Sequence, residues 1–209
     1  MNLNLAGEWK LSDSKKIHSL KCNLPGDNYT ALLNAKKIVD PYLGLNEKFV
    51  QWVADENWIF EKNFTISSEM LNHKQIILHL TEVDTIAKIF INKKLVSSSE
   101  NMFLPIDLDV KSVLKKGLNQ ISVYISSPVK EAVKLAEKQP LFIPWTKNNT
   151  APYMNLIRKV QCHAGWDWGI SLIPSGIYGE LELKGINDCI LESVYTSQKH
   201  KKNECDLTI

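Results

Sequence analysis

The run Gly165-Trp166-Asp167-Trp168-Gly169 carries the most distinctive chemistry in this sequence. Two indoles flank one carboxylate, and a glycine stands at each end. Glycines favour a loop over a packed helix, while indole is costly to leave in water. A loop that presents two aromatic faces and a fixed anion suits a sugar. The apolar C–H faces of a pyranose lie on an indole, and a carboxylate accepts hydrogen bonds from two hydroxyls. The alternative is structural: both tryptophans anchor a core and Asp167 caps a turn, since large aromatics are mostly buried.

Other candidate chemistry is thin. Asp167 is the only acid in that loop, whereas glycoside hydrolysis uses two carboxylates, about 5–5.5 Å apart for retention and wider for inversion. Glu47, Asp55, Glu56, Glu61 and Asp84 read as solvated or capping acids without a partner. Ser175 precedes Gly176 but stands in no nucleophile elbow, and no Ser/His/Asp set is visible. Cys22, Cys162, Cys189 and Cys205 lie far apart, so neither a metal site nor a cofactor is expected. Scattered cysteines in a chain of this size point to reduced thiols and a cytoplasmic location.

The chain's 209 residues fit one domain of generous size, or one domain and the start of another. A formal charge of +2 offers nothing to nucleic acid or to an anionic membrane. The basic run from Lys199 to Lys202 reads as a solvated turn. No apolar run approaches the ~20 residues of a membrane span. Leu3, Leu5 and Trp9 alternate behind Met1 where a signal peptide would carry an apolar block, so none is expected.

The elements that must position the loop are mostly strands. Residues 5–11 read as a strand, and Asp27 as the cap of a short helix carrying Tyr29, Leu32 and Leu33. Asn46 is expected to cap a second helix with Phe49, Val50, Trp52 and Val53 on one apolar face. From Trp58 the period changes to two, with Trp58, Phe60, Phe64 and Ile66 on one side. Residues 75–80 and 85–91 are further strands, the latter turning at Asn92-Lys93. Met102 to Val110 alternates, with Pro105 marking an edge or a bulge. Residues 119–126 form a strand, 128–138 a helix opened by Pro128, and 140–152 a long loop of the kind that is often functional. Residues 177–183 close the set. About eight strands with frequent turns predict an all-β, antiparallel β-sandwich with a few short helices. The domain is expected to span residues 1–185. Residues 186–209 hold two alternating strands, at 190–198 and 205–209, too little for a domain, and read as the truncated start of another.

Several short motifs stand in order along the chain: Leu24-Pro25-Gly26-Asp27, Asp40-Pro41-Tyr42-Leu43-Gly44, Asn46-Glu47, Trp52-Val53, Asn57-Trp58-Ile59-Phe60, Asp84-Thr85, Ile91-Asn92, Asn101-Met102-Phe103, Ser127-Pro128, Ile157-Arg158-Lys159, His163 and the tryptophan loop. This ordered set resembles the N-terminal domain of β-mannosidases of glycoside hydrolase family 2, from about Leu5 to Leu183. The resemblance implies a jelly-roll, galactose-binding-like domain, followed by immunoglobulin-like domains and a TIM barrel. It implies a retaining mechanism whose two catalytic glutamates lie in that barrel, hence no catalytic residue in this chain. It implies that Trp166, Asp167 and Trp168 contact a terminal mannose of a β-mannoside, and that Arg158 supports the loop through a charge-assisted hydrogen bond. Ile170, where the family usually has proline, and Asn92-Lys93, where it has Asn-Gly, depart from the pattern. A stand-alone lectin-like module and a purely structural domain are the competing readings.

Overall fold

The computed structural model describes residues 1–146, 149–191 and 193–209. Lys147 and Asn148 of the long loop, and Glu192 of the expected tail strand, lie outside the described residues. In chain order come β1 (Asn2–Asn4), β2 (Gly7–Asp13), β3 (Ser19–Leu24), β4 (Gly26–Asp27) and α1 (Asn28–Asn34). Then come α2 (Trp52–Asp55), β5 (Trp58–Ile66), α3 (Ser68–Leu71), β6 (Gln75–Asp84), β7 (Ala87–Ile91) and β8 (Lys94–Ser99). The last are β9 (Ile106–Asp109), β10 (Gly117–Ile125), α4 (Pro128–Glu137), β11 (Gly176–Ile186), β12 (Ser197–His200) and β13 (Cys205–Thr208).

Two antiparallel sheets face each other. One runs β3-β2-β5-β10-β7-β8, the other β1-β11-β6-β9 with β4 beside β11. The alternation read from the sequence sets the register. Trp58, Phe60, Phe64 and Ile66 of β5 point inward and pair across the ladder with β10, whose Ile121, Val123 and Ile125 are also fully buried. A slip of one residue would turn both sets to water, so burial on one face pins this pairing. Ile76, Leu78 and Leu80 of β6, with Ile177, Leu181 and Leu183 of β11, close the core from the other sheet. The chain is thus the antiparallel β-sandwich expected.

Local signals also hold. Asp27 caps α1, its side chain accepting from the Thr30 amide. Ser127 caps α4, with Pro128 in the first turn. Asn92 and Lys93 both adopt positive φ between β7 and β8, the backbone of a tight hairpin.

Three expectations need correction. Asn46 caps no helix: it opens a 3-10 turn (Asn46–Phe49), its side-chain Nδ2 donates to the Asp40 carbonyl, and α2 starts separately at Trp52. Phe49 therefore does not join the apolar face and is 71% exposed. The alternation from Met102 to Val110 overstates β9, which starts only after Pro105 and lies at a sheet edge, where a proline costs no ladder bond. The tail strands are shorter than expected and the first is displaced: β12 begins only at Ser197 and runs into the residues read as a basic turn, and with β13 it forms a two-stranded sheet of its own, exposed throughout.

Among the described residues no helix is long and apolar enough to cross a membrane.

Candidate functional site

The tryptophan loop leaves the fold through a 3-10 turn (Gln161–Ala164) and returns at Ile173. Its two limbs are laced at the base. The His163 carbonyl accepts from the amides of Leu172 (3.2 Å) and Ile173 (3.0 Å). Gly165 has φ +82°, and a Cβ there would sit 2.6 Å from the Ser171 Cβ, so only glycine lets the limbs approach. Ser171 donates its amide to Glu47 Oε1 (3.1 Å) and accepts from Gln51 Nε2 (2.9 Å) at its carbonyl. Its hydroxyl also bonds that of Thr150. Ile173 holds φ +48°, a costly conformation for a β-branched residue. Its side chain is buried and its amide is bonded, which keeps it there.

Beneath the loop lies a second small core of Ala54, Ala132, Ala151, Met154, Ile157, Ala164 and Ile173. Alanines let the backbones of α2, α4 and the loop base come close.

At the tip, the Gly169 amide donates to the Trp166 carbonyl (3.3 Å) and closes a tight turn. The two indoles lie 5.6 Å apart between centroids, tilted by 55°. Trp166 is 41% exposed and Trp168 82%. Neither anchors a core of this chain, and Asp167 does not hold the turn through a side-chain bond among the described residues. Asp167 is exposed and, among the described residues, makes no hydrogen bond or ion pair. Both indoles border a cavity of about 620 Å³ whose other walls include Trp145, Asn149, Asn155 and Gln161. That size is typical of small-molecule sites.

Arg158 does not make the bond expected of it. Its side chain is exposed and has no partner among the described residues, while its backbone bridges to Asn101. The charge-assisted contact belongs to the next residue. Lys159 Nζ lies 2.9 Å from Asp84 Oδ2, and the two side chains are 1% and 0% exposed. Asp84 is therefore not the solvated acid expected: β6 carries it to the buried end of the sheet. The Thr85 hydroxyl bonds its other oxygen. Lys159 Nζ also lies 2.8 Å from His163 Nδ1. Burial pushes the Lys159 ammonium below its ordinary pKa, against the pull of Asp84. Burial, and then the adjacent ammonium, push the His163 imidazole down as well.

Sequence spacing hides Lys159, Glu47 and Gln51 as parts of the site, because their partners Asp84 and Ser171 lie far along the chain, and it hides His163 because its role depends on Lys159 being paired there. Only their occurrence among the ordered motifs singles out Lys159, His163 and Glu47. Among the described residues no group of three His, Cys, Asp or Glu side chains could hold a metal ion.

Known proteins share this arrangement of chain. Bovine (Bos taurus) β-mannosidase is 31% identical over 198 residues, which cover 91% of this chain and 22% of the relative. A probable β-mannosidase of Caenorhabditis elegans is 32% identical over 183 residues, 84% of this chain and 20% of the relative. The chain thus spans about a fifth of the length of these relatives. The crystal structure of a β-D-mannosidase from Dictyoglomus thermophilum superposes with a TM-score of 0.92 at 32% identity, over 99% of this chain and 25% of that one. An exo-chitosanase from Amycolatopsis orientalis shares the fold alone, with a TM-score of 0.68 at 15% identity, over 99% of this chain and 23% of that one. The glycosyl hydrolase 2 galactose-binding domain-like family matches residues 9–179, the sandwich together with the tryptophan loop, and this chain belongs to that family.

Proposed function

We propose that this chain is the sugar-binding domain of a β-mannosidase, and that its tryptophan loop forms one wall of the pocket for a terminal β-mannosyl residue. The carrying observation is the exposed pair Trp166 and Trp168 on either side of an unpaired Asp167, on a loop whose base is fixed. The two tilted indole faces offer the apolar side of the pyranose a surface, and the carboxylate takes two hydroxyls. Arg158, whose side chain is exposed, is a second charged group available to the substrate or to a neighbouring domain. The two glutamates of a retaining reaction would lie in a barrel outside this chain, against which this domain packs. Residues 186–209 would open an immunoglobulin-like domain between them. The four cysteines, all free thiols, support a reducing, cytoplasmic setting.

The test is Asp167→Ala in the full-length protein. Charge-assisted hydrogen bonds to a buried carboxylate are each worth about 1.5–3 kcal/mol. Their loss should lower kcat/KM for β-mannosides by roughly ten- to a thousand-fold with the melting temperature unchanged. Unchanged kinetics would refute the reading. Residues 1–209 alone should hydrolyse no β-mannoside.

One observation favours a second reading, a lectin-like module. The cavity of about 620 Å³ is walled by this chain's own residues, including three tryptophans. Mannose titrated into the isolated chain decides between them: tight binding abolished by Asp167→Ala would mean that the pocket is complete without a partner domain.

A further inference from the structure

Asp84 and Lys159 are fully buried and His163 beside them is half-buried, and the presence of this charged cluster needs a reason. Lysine and aspartate are almost never fully buried unless paired. Even when paired, such ions give no more stability than apolar residues of similar volume. What they add is direction.

An ammonium can only donate, so His163 Nδ1 must accept from Lys159, and the ring is neutral with its proton on Nε2. Lys159 in turn is held by Asp84, whose second oxygen is held by Thr85. The His163 side chain is thus fixed on a rigid charged seat at the end of β6. The same residue's carbonyl receives both amides of the returning limb, Leu172 and Ile173. That carbonyl bonds the amide of Ile173 and so helps to hold its strained φ, together with the burial of its side chain.

We propose that Asp84, Lys159 and His163 are positioning residues: a buried ion pair seats the His163 ring, and the His163 backbone fixes the base of the tryptophan loop. The small core beneath buries little apolar volume, so packing alone defines the loop base weakly and specific bonds must add to it. This inference rests on the sugar-contact reading only for its consequence in catalysis.

The test is amide hydrogen exchange by mass spectrometry on the full-length protein, comparing peptides over residues 161–175 with peptides from β5 and β10. Asp84→Asn with Lys159→Met removes both charges together and avoids an orphaned ion. It should speed exchange at 163–173 at least tenfold while β5 and β10 stay protected. His163→Leu should do the same. His163→Asn, which keeps an acceptor near the place of Nδ1, should restore most of the protection. Unchanged exchange in the loop of the double variant, or equal behaviour of the leucine and asparagine variants, would overturn the proposal whatever the enzyme's activity. The kinetic arm is separate: KM for an aryl β-mannoside should rise at least threefold with kcat changing less. A loosened loop with unaltered KM would leave the positioning role standing and sink the sugar-contact reading instead.

Discussion

Between the two sheets, Trp9, Trp58, Phe60 and Phe64 fill the space with large rings, and aliphatic side chains complete the packing. Beneath the tryptophan loop, four alanines, Met154 and two isoleucines do the same task with a fraction of the volume. The sandwich buries much apolar area per residue, so the hydrophobic effect dominates there and pins the strand register. The lower core buries little, so specific bonds define it: Lys159 to Asp84, His163 to its two amides, Ser171 to Glu47 and Gln51. Stability and site geometry are thereby carried by different parts of one domain. Substitutions should separate them.

The largest effect is expected at Trp58, which is fully buried and whose indole N–H donates to the Val53 carbonyl at 2.8 Å. Trp58→Ala should cost about 3–5 kcal/mol in denaturant unfolding, with every probe reporting one transition. Met154→Ala in the lower core should cost less, about 2–3 kcal/mol at the lower end for such changes. Exchange should then open residues 150–175 before the sheets. If Met154→Ala instead lowered all probes together, the two cores would be one cooperative unit and the comparison would fail.

Gly165→Ala comes next. It forces a Cβ to within 2.6 Å of the Ser171 Cβ at a φ of +82°. A cost of about 1–3 kcal/mol is expected from strain of this kind. The loss of mannoside affinity should exceed what that cost alone produces, because the loop limbs must part.

The same division decides what could be read in the sequence. Period-two alternation over Trp58–Ile66 and Ile121–Ile125 is legible because one face of each strand is buried. The lower core has no period: its alanines come from two helices, a loop and a 3-10 turn. Asp84 and Lys159 pair across 75 residues, a contact no local spacing encodes. The tryptophan loop was legible as chemistry from its composition, while the exposure of both indoles was not. Burial of tryptophan is the rule that this loop breaks.

A pH titration sharpens the role of His163. The groups facing its ring are the Lys159 ammonium, the Asp84 carboxylate at 3.8 Å and, more remotely, Asp27. Desolvation and the ammonium lower its pKa in the fold, while the two carboxylates oppose them. The unfolded chain takes up the proton near about pH 6.5. The folded chain takes it up only at lower pH. The stability gained from the neutral ring is therefore complete above about pH 6.5 and is lost as pH falls through the depressed value. Loop exchange, corrected for its intrinsic rate, should accelerate over that window in the wild type and not in His163→Asn. Identical pH profiles would remove His163 from the anchor.

The smallest stability effect is expected at Trp168, which is 82% exposed and touches Trp166 alone among the aromatic rings. Trp168→Ala removes little buried area, so the unfolding free energy should move by no more than about 0.5 kcal/mol. Trp166, at 41% exposure, leans on its neighbour and should cost somewhat more. Function should run the other way. An indole left in water by the fold is available to a ligand at almost no cost to the domain, and the proposed sugar contact makes stacking on it the main apolar interaction. Trp168→Ala should lower kcat/KM for β-mannosides by roughly ten-fold or more, the scale of one lost aromatic contact of about 1.5 kcal/mol. Phe at this position should recover part of that loss, since it keeps a ring face of smaller area. If Trp168→Ala instead destabilised the protein by several kcal/mol, the indole would be packed against another part of the full-length protein. The loop would then be an interdomain contact, and the sugar would have to be sought elsewhere.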